Sequence, residues 1–247
     1  MRVHPILDSN EVNEKAFKDY FVQFGSVVVR KLLDKDILNS LLQRAEAAYS
    51  AYDQQHDLGQ RVSNHQNNVL EKFGAIAATE LDEPGGPANS MIKMFLDSRI
   101  PSLYANLLGR KFTILSGISV PRRQGPFGRN PSVPYHQDTT FTGNQGLIIN
   151  SWIPLNQVGI KAPGLEVILS PQSEVLSPPG YMGRSAASYD EIDLKENFII
   201  QKFHKNMFWS PVLEPGDVMF FSHLTIHRTY ITPQMKKSRI SLEIRCT

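Results

Sequence analysis

The second half of the chain alternates short β-type runs with turn residues, and this texture restricts the possible folds most. From Lys111 onward, proline, glycine and other turn formers separate six runs rich in β-branched and aromatic residues: KFTILSGISV, LIINSWIPL, LEVILS, NFIIQKF, DVMFFS and RISLEIR. Many short strands with frequent turns are typical of two packed sheets or of a barrel. The sequence therefore predicts an all-β core within residues 111–247.

The first 110 residues show helical patterns around one short strand. Apolar residues recur at helical spacing in residues 11–24 and again after Asp34, which is a favourable N-cap. Between these two segments, SVVVR at 26–30 is β-branched and predicts a strand. A further helix is expected at 98–108, whereas the polar residues 53–90 are expected to form a loop. We therefore expect one domain over 1–247, in which a mainly helical part, 1–110, supports the β-rich part.

The composition restricts the partners and the surroundings of the protein. Lysine and arginine total 26 against 24 acidic residues, for a net charge of +2, and no dense basic block occurs. A dedicated surface for nucleic acid or for an acidic membrane is therefore not indicated. Cys246 is the only cysteine, so an intrachain disulfide and a cysteine zinc site are excluded. The N-terminus lacks the apolar run of a signal peptide, and we expect a cytoplasmic protein with a small-molecule partner.

The segment VPYHQDTTF contains a histidine and an aspartate two residues apart, His136 and Asp138. In a strand, both side chains face the same way, so they form either half of a metal site or an ordinary polar pair. A metal site needs a third ligand, and His227 is the best candidate, with His223 as its rival. HLTIH lacks the glutamate of the helical zinc-protease motif, and its threonine and isoleucine favour a strand. The remaining histidines are expected at the surface: His4, His56, His65 and His204.

Two histidines and one carboxylate match the facial triad of non-heme Fe(II) oxygenases, which leaves coordination positions open. The histidine–aspartate spacing alone is common by chance and favours the ordinary polar pair. Arg239 changes this balance, because it follows His227 by twelve residues and shares a strand face with Ser241. A guanidinium binds a carboxylate through two parallel hydrogen bonds, which suits a dicarboxylic co-substrate. Arg245, on the same strand, is expected to be a surface residue.

Two long insertions rich in proline and glycine, at 121–134 and 177–191, interrupt the β-type runs. Loops of this size in a compact domain are often lids or binding loops. Their arginines either bind an anionic substrate or form a solvated face, and nearby aromatic residues either line an apolar wall or pack the loops. The candidate substrate contacts are Arg122, Arg123, Arg129, Tyr135 and Phe141.

An ordered set of motifs resembles the phytanoyl-CoA dioxygenase-like family of Fe(II)/2-oxoglutarate oxygenases. The motifs that carry the resemblance are YFVQFGSVVVRKLLDKDILNSLLQ, YHQD, SWIPLNQVGIKAPGLEVILSPQS and PGDVMFFSHLTIHRTYITPQMKKSRISL. The resemblance implies a double-stranded β-helix, or jelly roll, at residues 111–247. It also implies that His136, Asp138 and His227 bind iron and that Arg239 binds 2-oxoglutarate.

Two further residues are assigned through the resemblance. Trp152 corresponds to a position of the co-substrate pocket, although a core tryptophan between two sheets fits it equally well. Lys93 corresponds to a family lysine near the co-substrate, although its spacing from the metal motif differs. The chain departs from the family in two turns, KAPGLEV and SPQS, which affect the mouth of the pocket.

The resemblance also implies a reaction. Its cofactors are Fe(II), 2-oxoglutarate and O2, and 2-oxoglutarate is decarboxylated to succinate and CO2 while an unactivated C–H bond is oxidised. Asp138 separates the chain from halogenating relatives, in which a small residue takes that place, so hydroxylation is preferred. We expect a small-molecule substrate of specialised metabolism. The alternatives are the same iron chemistry on a nucleic acid or a protein, and a non-catalytic jelly-roll sensor or scaffold.

Overall fold

A computed structural model describes residues 4–57, 73–86, 88–125, 132–142, 146–176 and 191–247. Within these residues, the strands form a six-stranded sheet in the order β1-β2-β7-β4-β9-β3 and a three-stranded sheet in the order β6-β5-β8. All the strand pairs are antiparallel except β1 with β2. The strands are β1 (Ile6–Asp8), β2 (Ser26–Arg30), β3 (Val120–Gln124), β4 (Ile149–Pro154), β5 (Gly164–Ile168), β6 (Phe208–Trp209), β7 (Val218–Ser222), β8 (His227–Tyr230) and β9 (Arg239–Cys246).

The two faces of the large sheet have different partners, and β9 shows this most clearly. Its alternate residues Ile240, Leu242, Ile244 and Cys246 belong to the main apolar core under the helices. The residues between them, Arg239, Ser241, Glu243 and Arg245, face the other way because side chains alternate along a strand. A second apolar cluster lies between the sheets and includes Trp152, Phe221, Leu165, Val167 and Trp209. The polar face of β9 therefore points into the space between the two sheets.

Helices cover the outer faces of both sheets. The described helices are α1 (Glu14–Phe24), α2 (Lys35–Asp57), α3 (Ser90–Leu96), α4 (Ile100–Leu108), α5 (Thr139–Thr142) and α6 (Glu196–Lys202). The first four pack on the large sheet, where Phe17 of α1 contacts Phe220 of β7 edge to face at 4.9 Å. Helix α6 covers the small sheet through Ile199. This arrangement confirms the predicted β core with flanking helices.

Local signals begin and end the N-terminal helices, and one of them is the N-cap that the sequence predicts at Asp34. Asn13 caps α1 by accepting a hydrogen bond from the Ala16 amide, and Gly25 ends it with φ 72°. The Asp34 carboxylate accepts the amide of Asp36 at 2.8 Å at the start of α2. The first 110 residues are mainly helical, but β1 and β2 join the large sheet. The two parts of the chain therefore share one sheet.

Four local predictions are wrong. NFIIQKF is helix α6 instead of a strand, because only Ile199 and Phe203 of its apolar residues reach a core while Phe198 and Ile200 stay exposed. Residues 111–119 contain a bridge and a 3-10 turn, and the strand begins at Val120. Four residues assigned to the loop 121–134 therefore lie in β3. The region 53–90, predicted as loop, contains the end of α2, which continues to Asp57, and the first residue of α3, Ser90. No helix in the described ranges combines the length and the apolar character that a bilayer crossing needs.

Candidate metal centre

Strand pairing brings the two distant histidines together. His136 and His227 form an antiparallel bridge in which each backbone N–H donates to the carbonyl of the other at 3.0 Å. Their rings lie 4.2 Å apart, centroid to centroid, and the ring of Phe221 packs on His227 at 4.7 Å. Both histidines are buried, at 4% and 6% exposure. Two residues far apart in the sequence are thus in direct contact beside strand β8 of the small sheet.

Backbone carbonyls fix the orientation of both imidazoles. Nδ1 of His136 lies 2.8 Å from the carbonyl of Pro134, and Nδ1 of His227 lies 3.0 Å from the carbonyl of Thr225. A carbonyl only accepts, so each Nδ1 donates to its carbonyl and each Nε2 is directed toward Asp138. The Nε2 atoms lie 3.6 and 3.8 Å from Oδ1 of Asp138. Two imidazole nitrogens and one carboxylate oxygen therefore converge on a single point.

The described residues contain this one group of three or more histidine, cysteine or acidic side chains with metal-binding geometry. Its ligand atoms all lie within 4.8 Å of one another. This donor set fits a ferrous ion, because imidazole and carboxylate suit iron and three ligands leave further positions open. Imidazole rings whose Nδ1 is held by a backbone carbonyl also match the usual support of metal-binding histidines.

Asp138 is held through its other oxygen. Oδ2 accepts hydrogen bonds from Nε and Nη2 of Arg245 at 3.2 and 3.1 Å and from the Asn150 amide at 3.3 Å. Burial alone raises the pKa of Asp138, but the Arg245 charge and the two histidines outweigh it and bring this pKa well below its usual value. Asp138 is therefore an anion with Oδ1 directed at the histidines.

The metal centre opens into a small cavity between the two sheets. The lining residues are Arg122, Val133, His136, Asp138, Leu165, His227, Arg228, Thr229, Arg239, Glu243 and Arg245. Arg239 is 1% exposed, and its guanidinium lies 5.1 Å from the centre of the Trp152 ring. It donates to the Gly164 carbonyl at 2.5 Å and also to Oε1 of Gln124. A buried guanidinium and the three candidate ligands thus line one cavity.

A chain of buried charges forms one wall of this cavity. Glu243 lies between two arginines, with Oε1 2.9 Å from Nε of Arg122 and Oε2 3.0 Å from Nη2 of Arg245. Burial raises the pKa of Glu243, but the charges of the two guanidinium groups have the larger effect. The pKa of Glu243 therefore lies below its usual value. Arginines and carboxylates therefore alternate from Arg122 to Asp138, and each buried charge has a partner of opposite sign.

Several predicted contacts lie elsewhere. Lys93 is on the exposed face of α3, where it pairs with Asp97, so it does not line the cavity. Arg123 faces away from the cavity, forms a bidentate pair with Asp53 at 2.8 and 2.7 Å, and stacks on Tyr49. Alternation along β3 explains this difference, because Arg122 faces the cavity and its neighbour must face the helices. Neither Lys93 nor Arg123 is retained in the candidate site.

The other aromatic and loop predictions also change. Tyr135 is buried on the outer side of the small sheet, where its hydroxyl donates to Glu166 at 2.5 Å. It therefore supports the sheet and is not among the cavity-lining residues. Ser241 is fully buried on the inner face of β9, and its hydroxyl has no hydrogen-bond partner in the described part of the chain. Arg129, the Phe141 side chain, His65 and the His56 side chain lie outside the described residues.

His223, the rival of His227, is buried but belongs to a different local structure. Its Nδ1 accepts the Ile148 amide at 3.2 Å, so the ring is fixed against β4 and is not part of the three-ligand group. Nε2 of His223 is buried without a hydrogen-bond partner among the described residues. His204 is exposed as predicted, whereas His4 is partly buried and stacks on Trp209 at 5.7 Å, so its assignment to the solvated surface is wrong.

Sequence reasoning missed Arg245 and Asn150, which hold Asp138. The expectation of a surface Arg245 is wrong, since it is 7% exposed and bound to Asp138. The signal was present, because Arg239, Ser241, Glu243 and Arg245 alternate along one strand face. Asn150 had no comparable signal, since its role depends on the pairing of β4 with β9.

The metal-free protein should lose stability in mild acid because of His227. Burial, followed by the nearby His136, lowers the pKa of His227 from 6.5 to about 4. Below pH 6.5 the unfolded chain takes up a proton at this position, but the folded protein does not until about pH 4. The free energy of unfolding should therefore fall by up to about 3 kcal/mol across this window. Urea unfolding at several pH values measures it, and His227→Gln should remove this part of the slope. Parallel curves for the two proteins would contradict the expectation.

The fold and the site together define a class of protein. A His–Asp–His group at the inner face of two packed β-sheets is the arrangement of non-heme, 2-oxoglutarate-dependent iron enzymes. The chain belongs to the phytanoyl-CoA dioxygenase family (PhyH), whose model matches residues 21–238. The family assignment made from the sequence motifs is therefore confirmed, and so are the cofactors that it implies, Fe(II), 2-oxoglutarate and O2.

Solved structures show the same fold at low sequence identity. AviO1 from Streptomyces viridochromogenes has a TM-score of 0.61 at 16% identity and covers 95% of both chains. SnoK, a non-heme α-ketoglutarate-dependent carbocyclase of nogalamycin biosynthesis, has a TM-score of 0.61 at 13% identity, covering 96% of this chain and 85% of its own. The epimerase SnoN, solved with Fe3+, α-ketoglutarate and nogalamycin RO, has a TM-score of 0.54 at 16% identity over 95% and 83%. The predicted jelly-roll fold is thereby confirmed. No curated protein matches the sequence.

Proposed function

We propose that the protein oxidises an unactivated C–H bond of a small-molecule metabolite, by hydroxylation, with conversion of 2-oxoglutarate to succinate and CO2. One observation carries the proposal: Arg239 lines the same cavity as His136, Asp138 and His227. A metal site alone would fit many reactions. A metal site beside a buried guanidinium fits a co-substrate with two carboxylates.

The three candidate ligands have separate roles in this proposal. His136 and His227 supply neutral nitrogen through Nε2, and Asp138 supplies an anionic oxygen through Oδ1. The carbonyls of Pro134 and Thr225 hold the two rings with Nε2 directed toward the metal position. Three ligands on one side leave the cavity side for the co-substrate and O2.

Arg239 would hold the distal carboxylate of 2-oxoglutarate. The stacking on Trp152 and the bonds to Gly164 and Gln124 fix the plane of the guanidinium before anything binds. The unpartnered hydroxyl of Ser241 lies on the same strand face, two residues along. We retain it as an additional donor, because a buried hydroxyl without a partner costs about 1–3 kcal/mol unless a ligand satisfies it.

The residues of the chain and the bound cofactors divide the work. Fe(II), 2-oxoglutarate and O2 supply the oxidising chemistry. The chain contributes the orientation of the ligands, the anchor for the keto acid, and the apolar side chains around the site. Phe221 covers one face of His227, and Leu165 and Val133 line the cavity. These apolar groups would limit the access of water to the reacting centre.

The choice of a small metabolite rests on the charge and the structural neighbours. The net charge of +2 and the absence of a dense basic block do not favour nucleic acid. SnoK and SnoN are enzymes of nogalamycin biosynthesis, which supports a substrate from specialised metabolism. They are a carbocyclase and an epimerase, so proteins of this fold also catalyse reactions other than hydroxylation. We also propose that the protein is cytoplasmic, because its free cysteine, Cys246, is compatible with a reducing compartment.

Succinate release tests the proposal. The protein is loaded anaerobically with Fe(II) and 2-oxoglutarate, exposed to O2 together with a panel of hydroxylated and polycyclic metabolites, and assayed for succinate and for products heavier by one oxygen atom. Substrate-dependent succinate with an added oxygen supports hydroxylation. Succinate without added oxygen points to cyclisation, epimerisation or desaturation. Absence of both 2-oxoglutarate binding and succinate, from protein that is folded, would support the scaffold alternative.

A further inference from the structure

The two carboxylate oxygens of Asp138 have different surroundings. Among the described residues, Oδ1 faces the histidine Nε2 atoms, at 3.6 and 3.8 Å. Oδ2 accepts three hydrogen bonds, at 3.1, 3.2 and 3.3 Å, two from Arg245 and one from Asn150. A carboxylate oxygen has about two lone pairs available, so Oδ2 has no capacity left for a metal ion. The protein thus leaves one oxygen of this residue for the metal.

The Arg245 guanidinium is itself fixed from several directions. Nη1 donates to the carbonyl of Ile118 at 2.6 Å, and Nη2 donates to Oε2 of Glu243 at 3.0 Å as well as to Asp138. The Arg245 backbone amide donates to the hydroxyl of Ser119 at 3.0 Å. Glu243 is in turn paired with Arg122. A guanidinium held on each side cannot follow Asp138 if this carboxylate rotates.

We propose that Arg245 is a positioning residue that restricts Asp138 to binding the metal through Oδ1 alone. This inference rests on the proposed function. One-oxygen ligation matters because three protein ligands must leave three positions for the two atoms of the keto acid and for O2. If Asp138 bound through both oxygens, it would occupy one of these positions. Arg245 would therefore keep one coordination position available for the co-substrate or O2 without itself contacting the metal.

The sign of the effect on metal affinity distinguishes this role from a simple charge effect. Arg245 is a cation close to a cation-binding site, so its charge alone disfavours the metal. If the charge were its whole contribution, Arg245→Gln would bind divalent metal more tightly. If the planar guanidinium of Arg245 orients Asp138, Arg245→Gln should bind metal about 10- to 100-fold more weakly. A loss of this size is typical when the residue that orients a metal ligand is removed. Arg245→Lys keeps the charge and loses the planar fork, so it should also bind more weakly.

The experiment measures Co(II) affinity by calorimetry, and the visible absorption of bound Co(II), in the full-length protein. Arg123→Gln is the matched control. Arg123 also pairs with a carboxylate, that of Asp53, but its side chain points away from the metal centre. We expect weaker Co(II) binding and an altered spectrum in both Arg245 variants, and wild-type values in the control. Equal or tighter binding by Arg245→Gln, or wild-type behaviour of Arg245→Lys, would overturn the inference.

Two further proteins make the result decisive. If neither Arg245 variant folds, as judged by circular dichroism, Asn150→Ala decides, because it removes one of the three bonds to Oδ2. A severalfold loss of Co(II) affinity then supports the inference, and unchanged affinity overturns it. His227→Ala tests the underlying site separately. Wild-type protein that binds Co(II), with loss in His227→Ala, preserves the proposed function even where the Arg245 result is negative.

Discussion

The His227→Ala protein is expected to lose metal binding and turnover, whereas the His223→Ala protein is expected to keep both. Nε2 of His227 lies 3.8 Å from Oδ1 of Asp138 and shares the bridge with His136. Structural metal sites with four ligands gain roughly 10–16 kcal/mol, so losing one ligand of three removes on the order of 3–4 kcal/mol, or more than a hundredfold in affinity. Metal titration of both variants, with succinate release as the second readout, measures the effect.

His223→Ala is the control because this residue is also buried and lies only four positions away. It should lower stability by about 1–3 kcal/mol, since the Ile148 amide loses its acceptor. Its metal affinity should stay within a few-fold of wild type. If metal binding is lost in His223→Ala and kept in His227→Ala, the distal ligand has been assigned to the wrong histidine.

Replacing Arg239 with alanine should raise the 2-oxoglutarate concentration needed for half-maximal rate by about 30- to 5000-fold. The guanidinium is 1% exposed, so the carboxylate that it binds would be buried, and truncating one partner of such a pair costs roughly 2–5 kcal/mol. At saturating 2-oxoglutarate the rate should largely return, because the interaction holds the co-substrate in the ground state and in the transition state alike.

Lys93→Ala is the surface control for this experiment. Lys93 carries the same charge, but it is paired with Asp97 on the exposed face of α3. Its replacement should leave the 2-oxoglutarate requirement unchanged. A Lys93 effect as large as that of Arg239, or an Arg239 variant with an unchanged requirement, would contradict the assignment of the co-substrate anchor.

Much of the fold follows from local patterns in the sequence. The runs that became β4, β5, β7 and β9 contain β-branched or aromatic residues and are bounded by turn residues, a pattern that is stabilised by neighbouring strands and by burial in a core. NFIIQKF has the same composition but became helix α6, because it lies outside both sheets and buries little more than Ile199 and Phe203. Periodicity in seven residues does not separate a strand from a short helix that covers a sheet.

The candidate site was predictable where the chemistry depends on residue type and strand alternation. His136 and Asp138 share a face because they are two apart, and Arg239 shares a face with Ser241 for the same reason. The residues that surround the candidate ligands were not predictable where their positions depend on which strands pair. Lys93 has no sequence property that places it on the exposed side of α3, and Asn150 reaches Asp138 only because β4 lies beside β9.

The most direct test of the account is a crystal structure of the protein grown anaerobically with Fe(II) and 2-oxoglutarate. The account predicts one metal ion about 2.0–2.2 Å from Nε2 of His136, Nε2 of His227 and Oδ1 of Asp138, with the distal carboxylate of 2-oxoglutarate on Arg239. A metal ion bound elsewhere, one bound through His223, or a keto acid that does not contact Arg239 would contradict it.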